Sequence, residues 1–242
     1  MVCIPTGYFH PDTPSSEQHK YTMHLADIMT TRLAVFDLDG TIADSKDCIF
    51  HCYRHTAEVL GRPEPDIGTL GSGLGGSLPG NLQRMFDLDD GDVMDVLAIY
   101  RDEYSQKEKG TVRPFTGIIA TIERIRAMGI RPAVATLKAD RFAFGLLDDW
   151  GIAWMFHSIH GADEEGELTK ADLLRMCMYD ASVSPEETVM IGDSMDDLNA
   201  ARECGVRFIG ASYGYSLPRK RCEEESVDHA DSPVDLADLI VQ

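Results

Sequence analysis

Four short apolar runs, each stopping abruptly at a polar or glycine-bearing loop, constrain this 242-residue chain more than any other feature. Leu33-Ala34-Val35-Phe36 opens into Asp37-Leu38-Asp39-Gly40-Thr41, and Pro132-Ala133-Val134-Ala135 stops at Thr136. Thr188-Val189-Met190-Ile191 stops at Gly192-Asp193, and Val206-Arg207-Phe208-Ile209 at Gly210. A strand covered on both faces reads as an unbroken apolar run, because no solvent face demands alternation. Between these runs the pattern turns helical. Ile118, Ile122, Ile125 and Met128 recur at three and four residues and Gly129 ends them, while the segment from Asp196 and Asp197 runs through Leu198, Ala201 and Arg202 to Gly205. Ser184-Pro185-Glu186-Glu187 has a capping serine, a first-turn proline and a capping-box glutamate just before the third run. Strand and helix in alternation predict an α/β fold with a doubly wound parallel sheet.

Residues 45–111 break the alternation: 51–60, 82–86 and 93–104 look helical and no strand stands out among them. The expected organisation is an α/β core from 31–45 and 112–242, a helical insertion at 46–111, and an N-terminal extension at 1–30. In an open α/β sheet ligands bind outside the carboxyl ends of the strands, so an insertion leaving from that edge would cover them as a lid. The extension, with Pro5, Pro11 and Pro14, lacks a basic stretch followed by an apolar one, so no secretory signal is expected.

Composition narrows the partners. A formal net charge of −19 repels nucleic-acid backbones, so nucleic acid is excluded and an anionic substrate needs a local positive trap. No apolar run approaches the roughly 18 residues of a membrane span, so no membrane partner is expected. Cysteines at 3, 48, 52, 177, 204 and 222 lack the close pairing of a disulfide scaffold, which predicts reduced thiols and a cytoplasmic location.

Two carboxylates, Asp37 and Asp39, stand two residues apart at a strand end. An aspartate attacks phosphorus competently when a metal neutralises the approaching charge, and a second acid can serve the leaving group. A calcium-type loop is the alternative, but such loops need further oxygen ligands, and Thr41-Ile42-Ala43 supplies few. Gly192-Asp193-Ser194-Met195-Asp196-Asp197 repeats the arrangement; two acidic loops together suit Mg2+, while the second alone reads equally well as a helix N-cap cluster. Thr136 offers a hydroxyl at a strand end and Lys170 a cation at a helix start.

These residues resemble the four motifs of the haloacid dehalogenase superfamily, in order, and most closely its phosphoglycolate phosphatase-like members with a helical cap. Phe36 through Ser45 matches the first motif, Ala135-Thr136 the second, Lys170 the third, and Gly192 through Asp197 the fourth. The resemblance covers the chain from about Leu33 onward. Arg113-Pro114-Phe115-Thr116-Gly117 is similar to the return from cap to core, and Ser212-Tyr213-Gly214-Tyr215 to a late core segment. The resemblance implies a Rossmann-like core with an inserted α-helical cap domain, and a phosphoric monoester hydrolase acting on a small phosphorylated metabolite, phosphoglycolate first. It further implies Asp37 as nucleophile, Asp39 as acid and base, and phosphate binding by Thr136, Lys170, Gly40, Thr41 and the Leu137 backbone with Lys138 beside it. Mg2+ would be held by Asp37, the Asp39 carbonyl and Asp193, with Asp197 orienting a metal-bound water or Lys170. An acid at position 39 argues against dehalogenation, because halide leaves without a proton. Leu137 departs from relatives that carry a small or amide residue there.

Other patterns yield weaker readings. Gly71-Ser72-Gly73-Leu74-Gly75-Gly76 fits a dinucleotide fingerprint in spacing but no strand precedes it, so it is expected to be a cap loop near the substrate. Cys48, His51, Cys52 and His55 share a helical face, yet one helix cannot easily aim all four at one zinc. Arg84 is the cap candidate for a substrate carboxylate. The rival functions are a sugar-phosphate mutase on the same machinery and a catalytically silent binding protein; oligomeric state is not readable.

Overall fold

The computed structural model describes residues 31–164 and 166–242; the expectation for the extension at 1–30 lies outside them. Strand β1 (Leu33–Phe36) leads to a short β2 (Ala43–Asp44) and then to helices α1 (Lys46–Val59), α2 (Ile67–Gly71), α3 (Leu78–Phe86) and α4 (Val93–Thr111). The chain returns through β3 (Arg113–Pro114), α5 (Ile118–Ala127), β4 (Arg131–Ala139), α6 (Asp140–Asp149) and β5 (Ile159–Ala162). It ends with α7 (Lys170–Ala181), β6 (Thr188–Gly192), α8 (Met195–Cys204), β7 (Arg207–Ala211), α9 (Arg219–Glu224), β8 (Asp228–Ala230) and α10 (Leu236–Ile240).

The six-stranded sheet has the order β5-β4-β1-β6-β7-β8, and every neighbouring pair is parallel. Its central strands show why an unbroken apolar run was needed. Ala34 and Phe36 of β1 face one core with Ile118, Ile122 and Ile125 of α5, whereas Leu33 and Val35 face another with Leu173, Leu174 and Cys177 of α7. Burying each such large side chain contributes about 1.5–3 kcal/mol, so the two-sided run is the main reason β1 lies at the centre.

The sequence predicts four strands of a parallel sheet, and among the described residues that sheet has six. The additional strands, β5 and β8, sit at the two edges and carry His160, Gly161, Asp228 and His229, so neither reads as an apolar run. Among the inserted helices, α1 starts at Lys46 rather than at 51, and α3 starts at Leu78 because the Ser77 hydroxyl caps it by accepting from the Gly80 N–H and Pro79 suits its first turn. The short α2, capped by Asp66 accepting from the Thr69 N–H at 2.8 Å, was not anticipated. The Ser184-Pro185 segment forms a single 3-10 turn over Pro185–Glu187, with the Ser184 N–H donating to the Glu187 carboxylate at 3.0 Å.

The inserted helices leave and rejoin the sheet side by side. β2 and β3 pair antiparallel, Ala43 with Pro114 and Asp44 with Arg113, and the Phe115 N–H donates to the Ile42 carbonyl at 2.9 Å. This closed neck sets α1 and α4 above the carboxyl end of β1, and their buried residues continue the core that covers one face of the sheet. No helix among the described residues is long and apolar enough to cross a membrane.

Candidate active site

The sheet order alone selects a crevice. β1 is flanked by β4 and β6, Phe36 registering with Val134 on one side and Ile191 on the other, so the chain departs in opposite directions on the two sides of β1. Loops diverge at such a point and leave a hollow above the strand ends. Asp37 occupies it, its N–H donating to the Ile191 carbonyl at 2.8 Å, which carries the ladder one residue past the strand.

Asp37, Asp193 and Asp197 bring carboxylate oxygens within 4.8 Å of one another, and all three residues are buried. Lys170, at the first position of α7, reaches into the same space. Its Nζ lies 2.7 Å from Asp37 Oδ1, 2.9 Å from Asp197 Oδ1 and 3.2 Å from the Ala135 carbonyl. The second acidic loop both caps its helix and contributes to this cluster of charges. Asp197 Oδ2 accepts from the Ser194 N–H at 3.1 Å and from the Ser194 hydroxyl at 2.6 Å as a capping box, while its other oxygen meets the lysine.

Close backbone approach holds Asp193. Gly40 has φ of 81°, and a Cβ there, or at Gly214, would collide with the Asp193 side chain. The Tyr215 N–H donates to Asp193 Oδ2 at 2.7 Å. The late segment Ser212-Tyr213-Gly214-Tyr215 also ties down the first loop: the Tyr213 hydroxyl donates to the Thr41 carbonyl at 2.9 Å, and the Tyr215 hydroxyl accepts from the Ser45 N–H at 2.7 Å where α1 begins.

The ionisation pattern follows from burial. Burial pushes Asp37 up to about 6, with Lys170 pulling it down and Asp197 raising it. Asp193 is raised well above the ordinary carboxylate range by burial and by the charges of Asp37 and Asp197. Burial alone would lower Lys170, but Asp197 and Asp37 outweigh it and its pKa is raised. Three buried carboxylates facing one ammonium leave negative charge in excess, and an all-oxygen donor set of this kind fits a hard divalent cation.

Above this cluster lies a cavity of about 120 Å³. Asp37, Asp39, Thr136, Leu137, Lys170 and Asp193 line it, as expected. Arg84, Gly40 and Thr41 are not among its lining residues. Arg84 instead donates to Asn81 Oδ1, and Asn81 donates to the carbonyls of Gly73 at 3.2 Å and Gly75 at 2.6 Å, so the arginine braces the glycine loop. Gly40 backs onto Asp193, and Thr41 is fully buried. The glycine loop does face the cavity and is clasped to the sheet side: the Gly76 N–H donates to Asp196 Oδ2 at 2.8 Å, and the Ser216 hydroxyl to the Leu74 carbonyl at 2.8 Å. The two cysteines and two histidines of α1 separate, as expected against a zinc site on one helix, with Cys48 and Cys52 buried while His51 and His55 turn to Glu103 at 2.6 and 3.6 Å.

Sequence reasoning undervalued Lys138. Its Nζ lies 3.0 and 3.3 Å from the two oxygens of Asp39 and 4.0 Å from the centre of the Tyr104 ring. Tyr53, Tyr100, Tyr104 and Phe142 also line the cavity. The four-residue spacing of Tyr100 and Tyr104 marked a helix face, but nothing in it located that face over the acids.

The family model described as haloacid dehalogenase-like hydrolase matches residues 34–211. A phosphoglycolate phosphatase of Pseudomonas putida is 32% identical over 198 residues, covering 78% of this chain and 72% of that protein. A tyrosine-protein kinase, PtkA, of Mycobacterium tuberculosis is 32% identical over 185 residues, covering 76% of this chain and 63% of the kinase. The crystal structure of a predicted phosphatase from Clostridium acetobutylicum superposes with a TM-score of 0.81 at 24% identity, covering 87% of this chain and 98% of that one. With the match spanning most of the chain and the motif residues gathered at one sheet edge, this protein belongs to the haloacid dehalogenase-like hydrolase family.

Proposed function

We propose that this protein is a magnesium-dependent phosphatase of small phosphate monoesters that works through an aspartyl-phosphate on Asp37. The observation that carries the reading is the convergence of Asp37, Asp193 and Asp197 to within 4.8 Å around the Lys170 ammonium, beneath a cavity. Asp37 attacks phosphorus, the ester P–O bond breaks, and the departing alkoxide takes its proton from Asp39. Asp39 then takes a proton from water, whose oxygen attacks phosphorus and breaks the bond to Asp37, releasing phosphate. Thr136, the Leu137 backbone and Lys170 hold the phosphoryl oxygens. Asp37, Asp193 and the Asp39 carbonyl would hold the ion, with Asp197 fixing Lys170 from behind. Bound there, magnesium would offset the negative charge shared by nucleophile and phosphate.

The helices of 46–111 act in this reading as a cap on a core of 31–45 and 112–242, and the protein works on a soluble metabolite in the cytoplasm. Phosphoglycolate is the first candidate, supported by the small cavity and by relatives that bear the name. The kinase name belongs to a relative of which this chain spans 63%, and is not carried over. The test is phosphoglycolate hydrolysis with magnesium by the native protein and by Asp37→Asn. The variant should lose at least about a thousandfold in kcat. Residual turnover near the native rate would sink the mechanism.

A further inference from the structure

We propose that Lys138 and Tyr104 together receive an anionic group on the departing half of the substrate, and that Lys138 lets go of Asp39 in doing so. The inference rests on the phosphatase reading above and adds to it the chemistry of the leaving group.

Among the described residues, three cations line the cavity: Lys138, Lys170 and Arg101. Lys170 lies beneath the nucleophile, between Asp37 and Asp197, on the side of the transferred phosphoryl group. Arg101 pairs with Glu164 at 2.7 Å, linking α4 to the loop after β5. Arg84 is turned to Asn81. Lys138 remains as the cation on the leaving-group side. It stands two residues beyond Thr136, its side chain is 7% exposed, and it spans both oxygens of Asp39. For Asp39 to work on the ester oxygen, one of those oxygens must be open to it. A competing anion at Lys138 would provide that opening.

Tyr104 supplies the second half of the receptor. The residue is 2% exposed, it lines the cavity, and its hydroxyl has no hydrogen-bond partner among the described residues. A buried hydroxyl left without a partner is unfavourable until something meets it. Lys138 lies over the face of the same ring, 4.0 Å from its centre, so the ammonium and the tyrosine border the same part of the cavity, and a carboxylate drawn to the ammonium comes close to the phenol. The surrounding walls, Ile49, Leu74 and Phe142, are apolar, which favours a short leaving group whose charge is confined to one end. The substrate class is therefore a short phosphorylated carboxylic acid, recognised from β4 and α4 rather than by a cap arginine.

The experiment compares kcat/KM for phosphoglycolate and for its uncharged amide, equal in shape, with magnesium present. The native protein should prefer the acid by about 10–100-fold, the range of one charge-assisted contact. Lys138→Met should cut that preference about tenfold or more, Lys138→Arg should keep part of it, and Tyr104→Phe, which retains the ring, should cut it by about threefold to tenfold. An unchanged preference in both Lys138→Met and Tyr104→Phe overturns the inference even if the rates fall, since Lys138 would then only position Asp39. Native turnover of an aryl phosphate with no preference between acid and amide also overturns it while leaving the phosphatase reading intact. Absence of turnover with any ester overturns that reading itself.

Discussion

The buried acids at the sheet edge and the buried polar side chains of helix α4 in the roof above it are served differently. At the edge, Asp37, Asp193 and Asp197 each have a partner: Lys170 serves two of them and the Tyr215 N–H the third. In α4 the Tyr104 hydroxyl and Glu108 Oε2 are buried without one. The roof is held by rings: Tyr53, Tyr100, Tyr104 and Phe142 follow one another at centroid distances of 5.0, 6.2 and 5.5 Å. The difference teaches where charge is already paired and where it is not. The edge holds preorganised charges that need only a cation and a phosphate, whereas the roof supplies shape and keeps polar capacity in reserve.

The largest effect on stability that would break this comparison is at Lys170. Removing the cation by Lys170→Met leaves the buried Asp37 and Asp197 carboxylates without their counter-charge, and should cost about 3–5 kcal/mol in urea denaturation. Added magnesium should recover more stability in the variant than in the native protein, because the ion binds the folded acid cluster. A variant as stable as the native chain would show that the edge is not electrostatically interdependent.

A smaller effect of opposite sign is expected in the roof. Burial pushes Glu108 up to about 7 from an ordinary value of 4.5, with Lys138 opposing and Asp39 adding to the shift. The folded protein thus binds this proton more tightly than the unfolded chain does. The contribution to stability is greatest below about pH 4.5, declines as the pH rises to 7 and stays low above it. Glu108→Gln should therefore stabilise the protein above pH 7, by up to about 3 kcal/mol, and change little near pH 4.5. A loss of stability at high pH would mean that the carboxylate is better served than its surroundings indicate.

The smallest expected effect lies where the two regions touch. Asp196→Ala removes the acceptor for the Gly76 N–H, a partly exposed bond worth about 0.5–1.5 kcal/mol. KM for phosphoglycolate should rise a few-fold with kcat little changed. A fall in kcat alone would place Asp196 with the edge instead of the clasp.

The acids were legible because each is tied to a local pattern. Asp37 and Asp193 end apolar runs, Asp197 is the third residue of a capped helix, and Lys170 opens one. Edge strands β5 and β8 were not legible, since a strand with one open side tolerates His160 and Asp228 and loses the apolar run that marks the centre. The direction of Arg84 was not legible for a related reason: its side chain turns to Asn81 on its own helix, and charge alone does not report direction.

By itself the sequence determined the parallel α/β core, the helical insertion and the acids at the strand ends, because those follow from backbone periodicity and from caps that act within a few residues. Only the tertiary structure decided that Lys138 spans Asp39, that Tyr104 lies beside it, and that Gly76 is clasped by Asp196. Those contacts join segments far apart in the chain, and which segments meet is decided by how the helices and loops pack over the strand ends, which no local pattern encodes.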